Sequence, residues 1–189
     1  MSTQKRVARK AVFLDRDGVI VVPEFRNGRS YAVRKLADFA VYPEAGPALE
    51  RLKGAGFVLV VVTNQPDVGA GLVDAAVLED MHDRLSGMVA IDRIEVCTHT
   101  AAQSCDCRKP KPGLLLRAAD VLSIDLARSF MVGDRASDID AGRRAGCRTA
   151  FRDLGYTAEA PPEVVDFRSP SLPAIVEWII SADAAATEG

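Results

Sequence analysis

Six apolar residues in succession, Phe57-Val58-Leu59-Val60-Val61-Val62, restrict the fold of this chain more than any other stretch. An extended strand that is apolar on both faces has no side to offer water, so it belongs inside a parallel sheet with helices on each face. Shorter stretches at 11–14, 93–98, 129–132 and 147–151 read as further strands. Between them, 43–53, 73–89, 112–123 and 137–145 read as helices. Gly54 and Gly56 stop the first, Asp74 caps the second, and Val77, Leu78, Met81, Leu85, Met88 and Val89 form the apolar face of the second. A last helix follows Ser171, with Ile175, Trp178 and Ile179 facing the sheet. The alternation predicts an α/β protein, a Rossmann-like doubly wound parallel sheet.

At 189 residues, 48% of them hydrophobic and 26% charged, the chain can bury one sizeable core. The expected organisation is a single monomeric domain over 11–182, with flexible tails at 1–10 and 183–189. A formal charge of -2 argues against a nucleic-acid surface. The basic cluster Lys5, Arg6, Arg9, Lys10 reads as a solvated tail. No apolar stretch has membrane-spanning length and the first ten residues lack the apolar core of a secretion signal, so a cytoplasmic protein is expected.

The run at 11–14 leads into Asp15-Arg16-Asp17-Gly18. Doubly wound folds place ligands at the carboxyl ends of their strands. Residues two apart on extended chain point the same way, so Asp15 and Asp17 converge before Gly18 turns the chain. Carboxylates facing one spot repel unless a cation lies between them or they share a proton. Magnesium suits such a spot, being hard, oxygen-seeking and open to phosphate. One carboxylate can then attack phosphorus while the other manages the leaving group's proton. Alone, an Asp-x-Asp merely caps a turn.

The company it keeps favours chemistry. Thr63 closes the apolar run at 57–62 with a hydroxyl and an amide suited to a phosphoryl oxygen. Asp134 follows the strand at 129–132, placed to hold magnesium from the opposite side. Asp138 either completes that metal site or favours the first turn of its helix through the dipole. Arg108-Lys109-Pro110-Lys111 supplies an ammonium for the transferred group, from Lys109 or Lys111. The overhang at 23–30, polar and glycine-containing, is positioned to cover the site.

A second cluster comprises Cys97, His99, Cys105 and Cys107, three thiols and an imidazole in one short loop. That donor set can close a tetrahedral structural zinc site in a reducing compartment. The alternative is small buried thiols beside a surface histidine. Cys147 reads as core, and His82 as solvated on a polar helix face.

These residues together resemble the four motifs of the haloacid dehalogenase superfamily: Asp15-Arg16-Asp17-Gly18, Thr63-Asn64-Gln65, Lys109 in Cys107-Arg108-Lys109-Pro110, and Gly133-Asp134 with Asp138. The resemblance covers residues 12–151. It implies a phosphoaspartyl intermediate on Asp15, with Asp17 as general acid and then base. Thr63 and Lys109 would grip the phosphoryl oxygens, and Asp15, the Asp17 main-chain carbonyl and Asp134 would hold magnesium. Asn64, Gln65, Arg108 and Arg135 would meet a small phosphorylated metabolite. The cysteine loop is similar to a capless, zinc-containing branch that includes heptose 1,7-bisphosphate 7-phosphatases and histidinol-phosphate phosphatases, where it would set Arg108 over the substrate. The short spacing from His99 to Cys105 favours the histidinol-phosphate type, while residues 31–43 and 63–71 favour the heptose type. A phospho-receiver module is the distant alternative, but it has no use for an acid-base group at Asp17.

Overall fold

The computed structural model describes residues 8–187. The chain runs β1 (Ala11–Leu14), the hairpin β2 (Glu24–Arg26) and β3 (Arg29–Tyr31), α1 (Ala45–Gly54), β4 (Val58–Asn64) and the single turn α2 (Pro66–Gly69). It continues through α3 (Ala75–Met88), β5 (Arg93–Cys97), α4 (Gly113–Leu122), β6 (Phe130–Gly133), α5 (Ala136–Ala145), β7 (Arg148–Arg152), β8 (Phe167–Ser169) and α6 (Leu172–Thr187). Six strands form one parallel sheet in the order β5-β4-β1-β6-β7-β8.

The two-residue period of extended chain sends neighbouring side chains into different cores. Val12, Leu14, Leu59, Val61, Phe130 and Val132 meet α1, α3 and α6 through Leu49, Leu52, Met81, Leu85, Ile175 and Ile179. Ala11, Phe13, Val58, Val60, Val62 and Met131 meet α4 and α5 through Leu114, Leu115, Ala118 and Ala141. Both faces are therefore dry, which is why these strands carry no polar alternation. On the first face Phe130 packs edge-on against Phe57 at 5.9 Å and Trp178 at 5.5 Å, and Trp178 stacks on Phe167 at 5.1 Å. Among the described residues no helix is long and apolar enough to cross a membrane.

Several boundaries differ from expectation. The overhang at 23–30 is an antiparallel hairpin, and β8 adds a sheet edge too short to show a period. Residues 183–187, expected as tail, continue α6, because Ala182, Ala184, Ala185 and Ala186 are strong helix formers. Arg9 bridges to Ile124 and Lys10 pairs with Asp183 at 2.6 Å, so both belong to the fold rather than to the tail expected at 1–10. Residues 1–7 and 188–189 of the expected tails lie outside the described residues. Met88, expected on the buried face of α3, is 52% exposed at its last turn.

Phe130→Ala should cost about 3–5 kcal/mol by opening a cavity between the sheet and α6. Urea unfolding followed by circular dichroism measures it.

Candidate active site

β1 lies between β4 and β6, and strand order reverses there. Parallel sheets leave a crevice at such a switch point, outside the carboxyl ends of their strands. Into it β1 delivers Asp15, β4 delivers Thr63, and β6 delivers Asp134, with Asp138 one helical turn further on. Asp15, Asp17, Thr63, Arg108, Lys109, Arg135 and Asp138 all line one cleft of about 600 Å³.

Asp15, Asp134 and Asp138 are buried and offer oxygens within 4.8 Å of one another. The ammonium of Lys109, only 4% exposed, reaches all but one of them: 2.8 Å to Asp15 Oδ1 and 2.6 Å to Asp138 Oδ1. Its remaining donor goes to the Val62 carbonyl at 2.8 Å. With three donors engaged, Lys109 offers a phosphoryl group its charge rather than a free N–H. Burial opposes that charge, but Asp138 and Asp15 hold the lysine protonated above its ordinary range. Lys111 instead donates to the Cys105 carbonyl at 2.6 Å on the surface, which separates the two lysines.

Asp134 has two unlike oxygens. Oδ2 accepts from the Tyr156 hydroxyl at 2.6 Å, whereas Oδ1 is buried with no hydrogen-bond partner among the described residues. Burial pushes this carboxyl well above the usual range, and the charges of Asp15 and Asp138 push it further. An orphaned oxygen beside two more carboxylates fits a divalent cation. Gly18 (φ +89°) permits the arrangement, since a Cβ there would lie 2.0 Å from Asp134 Oδ2.

Asp17 belongs to a different set. Arg16, fully buried, donates to it through Nε at 3.0 Å and Nη2 at 3.2 Å, and Gln65 Nε2 donates at 2.8 Å. Its carboxylate is thus outside the metal trio, leaving the main-chain carbonyl as the group it can offer a cation. Asn64 and Gln65, expected to meet substrate, line the same cleft while their amide nitrogens donate to the protein. Asn64 Oδ1 accepts from Lys109 N at 3.1 Å and its Nδ2 donates to Lys109 O at 3.2 Å, while Gln65 also donates to Thr63 Oγ1 at 2.9 Å. Arg108 donates to the His99 carbonyl at 3.1 Å, and Arg135 holds the β3 residue Ser30.

The second cluster is assembled as well. Cys97 Sγ lies 3.8 Å from Cys105 Sγ and 3.5 Å from His99 Nδ1, and Cys107 Sγ lies 3.3 Å from the same nitrogen. Thiolates and an imidazole around tetrahedral zinc stand about 3.8 Å and about 3.5 Å apart, so the donor set fits that ion. The four cysteines form no disulfide.

Two site residues escaped the sequence. Tyr156 lies in a stretch without period, 22 positions from Asp134, and nothing marks it. His82, expected to be solvated, sits 3.2 Å from Arg16 Nη1. Burial, with the Arg16 charge, lowers its pKa to about 4. Its ring is half-buried against Arg16 rather than free in solvent.

Strand-end aspartates around one buried lysine, on a doubly wound sheet, define the class: a hydrolase of phosphate esters built on an α/β scaffold. Comparison with known proteins agrees. A family model described as HAD-hydrolase-like matches residues 106–167. The D-glycero-beta-D-manno-heptose-1,7-bisphosphate 7-phosphatase of Pseudomonas aeruginosa is 37% identical over 79% of this chain and 84% of its own length. The Escherichia coli protein of the same name is 38% identical over 74% and 76%. The crystal structure of the D,D-heptose 1,7-bisphosphate phosphatase from B. bronchiseptica, complexed with magnesium and phosphate, superposes with a TM-score of 0.77 at 30% identity, covering 92% of this chain and 99% of that one. The chain belongs to the haloacid dehalogenase-like phosphatases.

His82 generates a pH prediction. Its folded pKa lies below the unfolded value of about 6.5, so above that pH neither state carries the proton. As pH falls from 6.5 towards 4, the unfolded chain gains a proton that the folded chain refuses, and stability is lost over that window. His82→Gln should remove this component, about 1 kcal/mol at pH 5 relative to pH 7.5 after solvent screening. Urea unfolding of both proteins at the two pH values measures it.

Proposed function

We propose that this phosphatase removes the 7-phosphate of D-glycero-D-manno-heptose 1,7-bisphosphate. The chemistry rests on the buried carboxylate trio around Lys109, and the substrate on relatives 37% and 38% identical that carry that name. Those names favour heptose over histidinol phosphate despite the short zinc loop.

Asp15 is the nucleophile. Its Oδ1 is fixed by Lys109 and by the Arg16 amide at 2.8 Å, and Oδ2, outside both bonds, attacks phosphorus. The P–O ester bond breaks, and the departing alkoxide takes a proton from Asp17, leaving an acyl phosphate on Asp15. Asp17 then takes a proton from water as that water attacks the same phosphorus, which frees Asp15 and releases phosphate. Gln65 and Arg16 hold Asp17 for both transfers. The Thr63 hydroxyl and the Lys109 charge balance the phosphoryl oxygens. Arg108 and Arg135, at the cleft wall, face the rest of the substrate. Held by Asp15, Asp134 and the Asp17 carbonyl, magnesium would supply the charge that this acidic crevice needs in order to accept an anion. Zinc on Cys97, His99, Cys105 and Cys107 is structural, with four donors and no open position. The thiol cluster suits the reducing cytoplasm.

In a phosphate-release screen, the heptose bisphosphate should be preferred over histidinol phosphate and hexose phosphates; preference for histidinol phosphate would reverse the assignment. Asp15→Asn should lower turnover roughly 10,000-fold while leaving the unfolding midpoint nearly unchanged. Metal analysis of the purified chain should give about one zinc, and Cys105→Ser should lose both the zinc and thermal stability.

A further inference from the structure

The two oxygens of Asp134 are held differently, and the difference comes from outside the motif residues. Tyr156 follows β7 in a segment with no regular structure, yet its hydroxyl donates to Asp134 Oδ2 at 2.6 Å while Oδ1 is left buried and unpartnered among the described residues. The contact is tightly enclosed. A Cβ on Gly18 would fall 2.0 Å from Oδ2 and 3.0 Å from the Tyr156 oxygen, so the turn after Asp17 lies directly against the hydrogen bond.

The ring itself is held by the hairpin. Phe25 of β2 stacks on Tyr156 at 5.8 Å, and the Gly28 carbonyl accepts from the main-chain amides of Thr157 at 3.1 Å and Ala158 at 3.0 Å. Glu159 pairs with Arg29 at 2.9 Å. Two loops remote in sequence thus fix one hydroxyl against one carboxylate oxygen.

We propose that Tyr156 is a positioning residue that restricts Asp134 to ligation through Oδ1 and thereby favours magnesium over calcium. The proposal rests on the magnesium reading given above. Magnesium requires near-octahedral ligands at about 2.0–2.1 Å, each best supplied by a single oxygen. Calcium takes more oxygens at about 2.3–2.6 Å and readily accepts both oxygens of one carboxylate. With Oδ2 committed to a phenol, the second mode is closed. The hydrogen bond also orients the carboxylate, as partners behind metal ligands generally do.

The test is Tyr156→Phe, which keeps the ring on Phe25 and removes only the hydroxyl. Titration calorimetry of the purified chain without substrate gives the Kd for magnesium and for calcium. The variant should bind magnesium about tenfold more weakly. Calcium should bind as well as before or better, so that the preference between the ions falls by about tenfold or more. Equal weakening of both ions, or an unchanged preference, overturns the proposal while leaving the magnesium reading intact. Failure of the wild-type chain to bind magnesium at all overturns both. A shift in melting temperature alone, with the preference preserved, assigns Tyr156 a purely structural role and also overturns it.

Discussion

Three buried carboxylates gather beside a single buried ammonium that pairs with only two of them, and the rest of the site follows from that imbalance. Asp15, Asp134 and Asp138 with Lys109 carry a formal charge of -2 when all are ionised, on side chains that are all buried. Burying unpaired charge is costly enough to unfold a domain unless something compensates. The sheet holds the groups together regardless, because each sits at or just beyond a parallel strand end that the core fixes from both faces. Backbone has been cleared to make room: Gly133 lacks a Cβ where Asp138 Cβ would lie 2.1 Å away, and Gly18 does the same for Asp134. That excess of negative charge fits a divalent cation, the ion proposed above, and through it a phosphate.

The lysine that partly offsets the imbalance comes from a loop, which is ordinarily a poor place to fix a charge. Two devices compensate. Asn64, at the end of β4, clamps the main chain of Lys109 on both its N–H and its carbonyl. Immediately before it, Cys105 and Cys107 gather with Cys97 at the end of β5, so the loop is tied to two neighbouring strands. A side chain on irregular backbone thereby acquires the definition of one on the sheet.

Most of this is legible in the sequence. Runs such as 57–62 announce strands buried on both faces, and the positions of Asp15, Thr63 and Asp134 directly after such runs are enough to put them at strand ends. The thiol cluster is readable because its donors are close in sequence. The residues that escape such a reading act across long separations without any period to betray them. Tyr156 is joined to Asp134 only by a loop docking on a hairpin, and His82 meets Arg16 across 66 positions of sequence. Asn64 and Gln65 are expected to meet substrate and do line the cleft, but the sequence does not reveal that their amides also brace Lys109, Thr63 and Asp17. The edge strand β8 and the end of α6 are lost for a simpler reason: three residues show no alternation, and a run of alanines has no polar face.

Trp178 is the chain's only tryptophan, and it lies between Phe130 of the sheet and Phe167 of the edge strand, with the Arg148 guanidinium 4.9 Å from its ring. Indole emission from this protein therefore comes from a single address, the seam where the C-terminal helix meets the sheet, on the opposite face of the sheet from the cysteine cluster and α4. Its colour and intensity gauge how firmly that helix is seated, and they do so without an added dye.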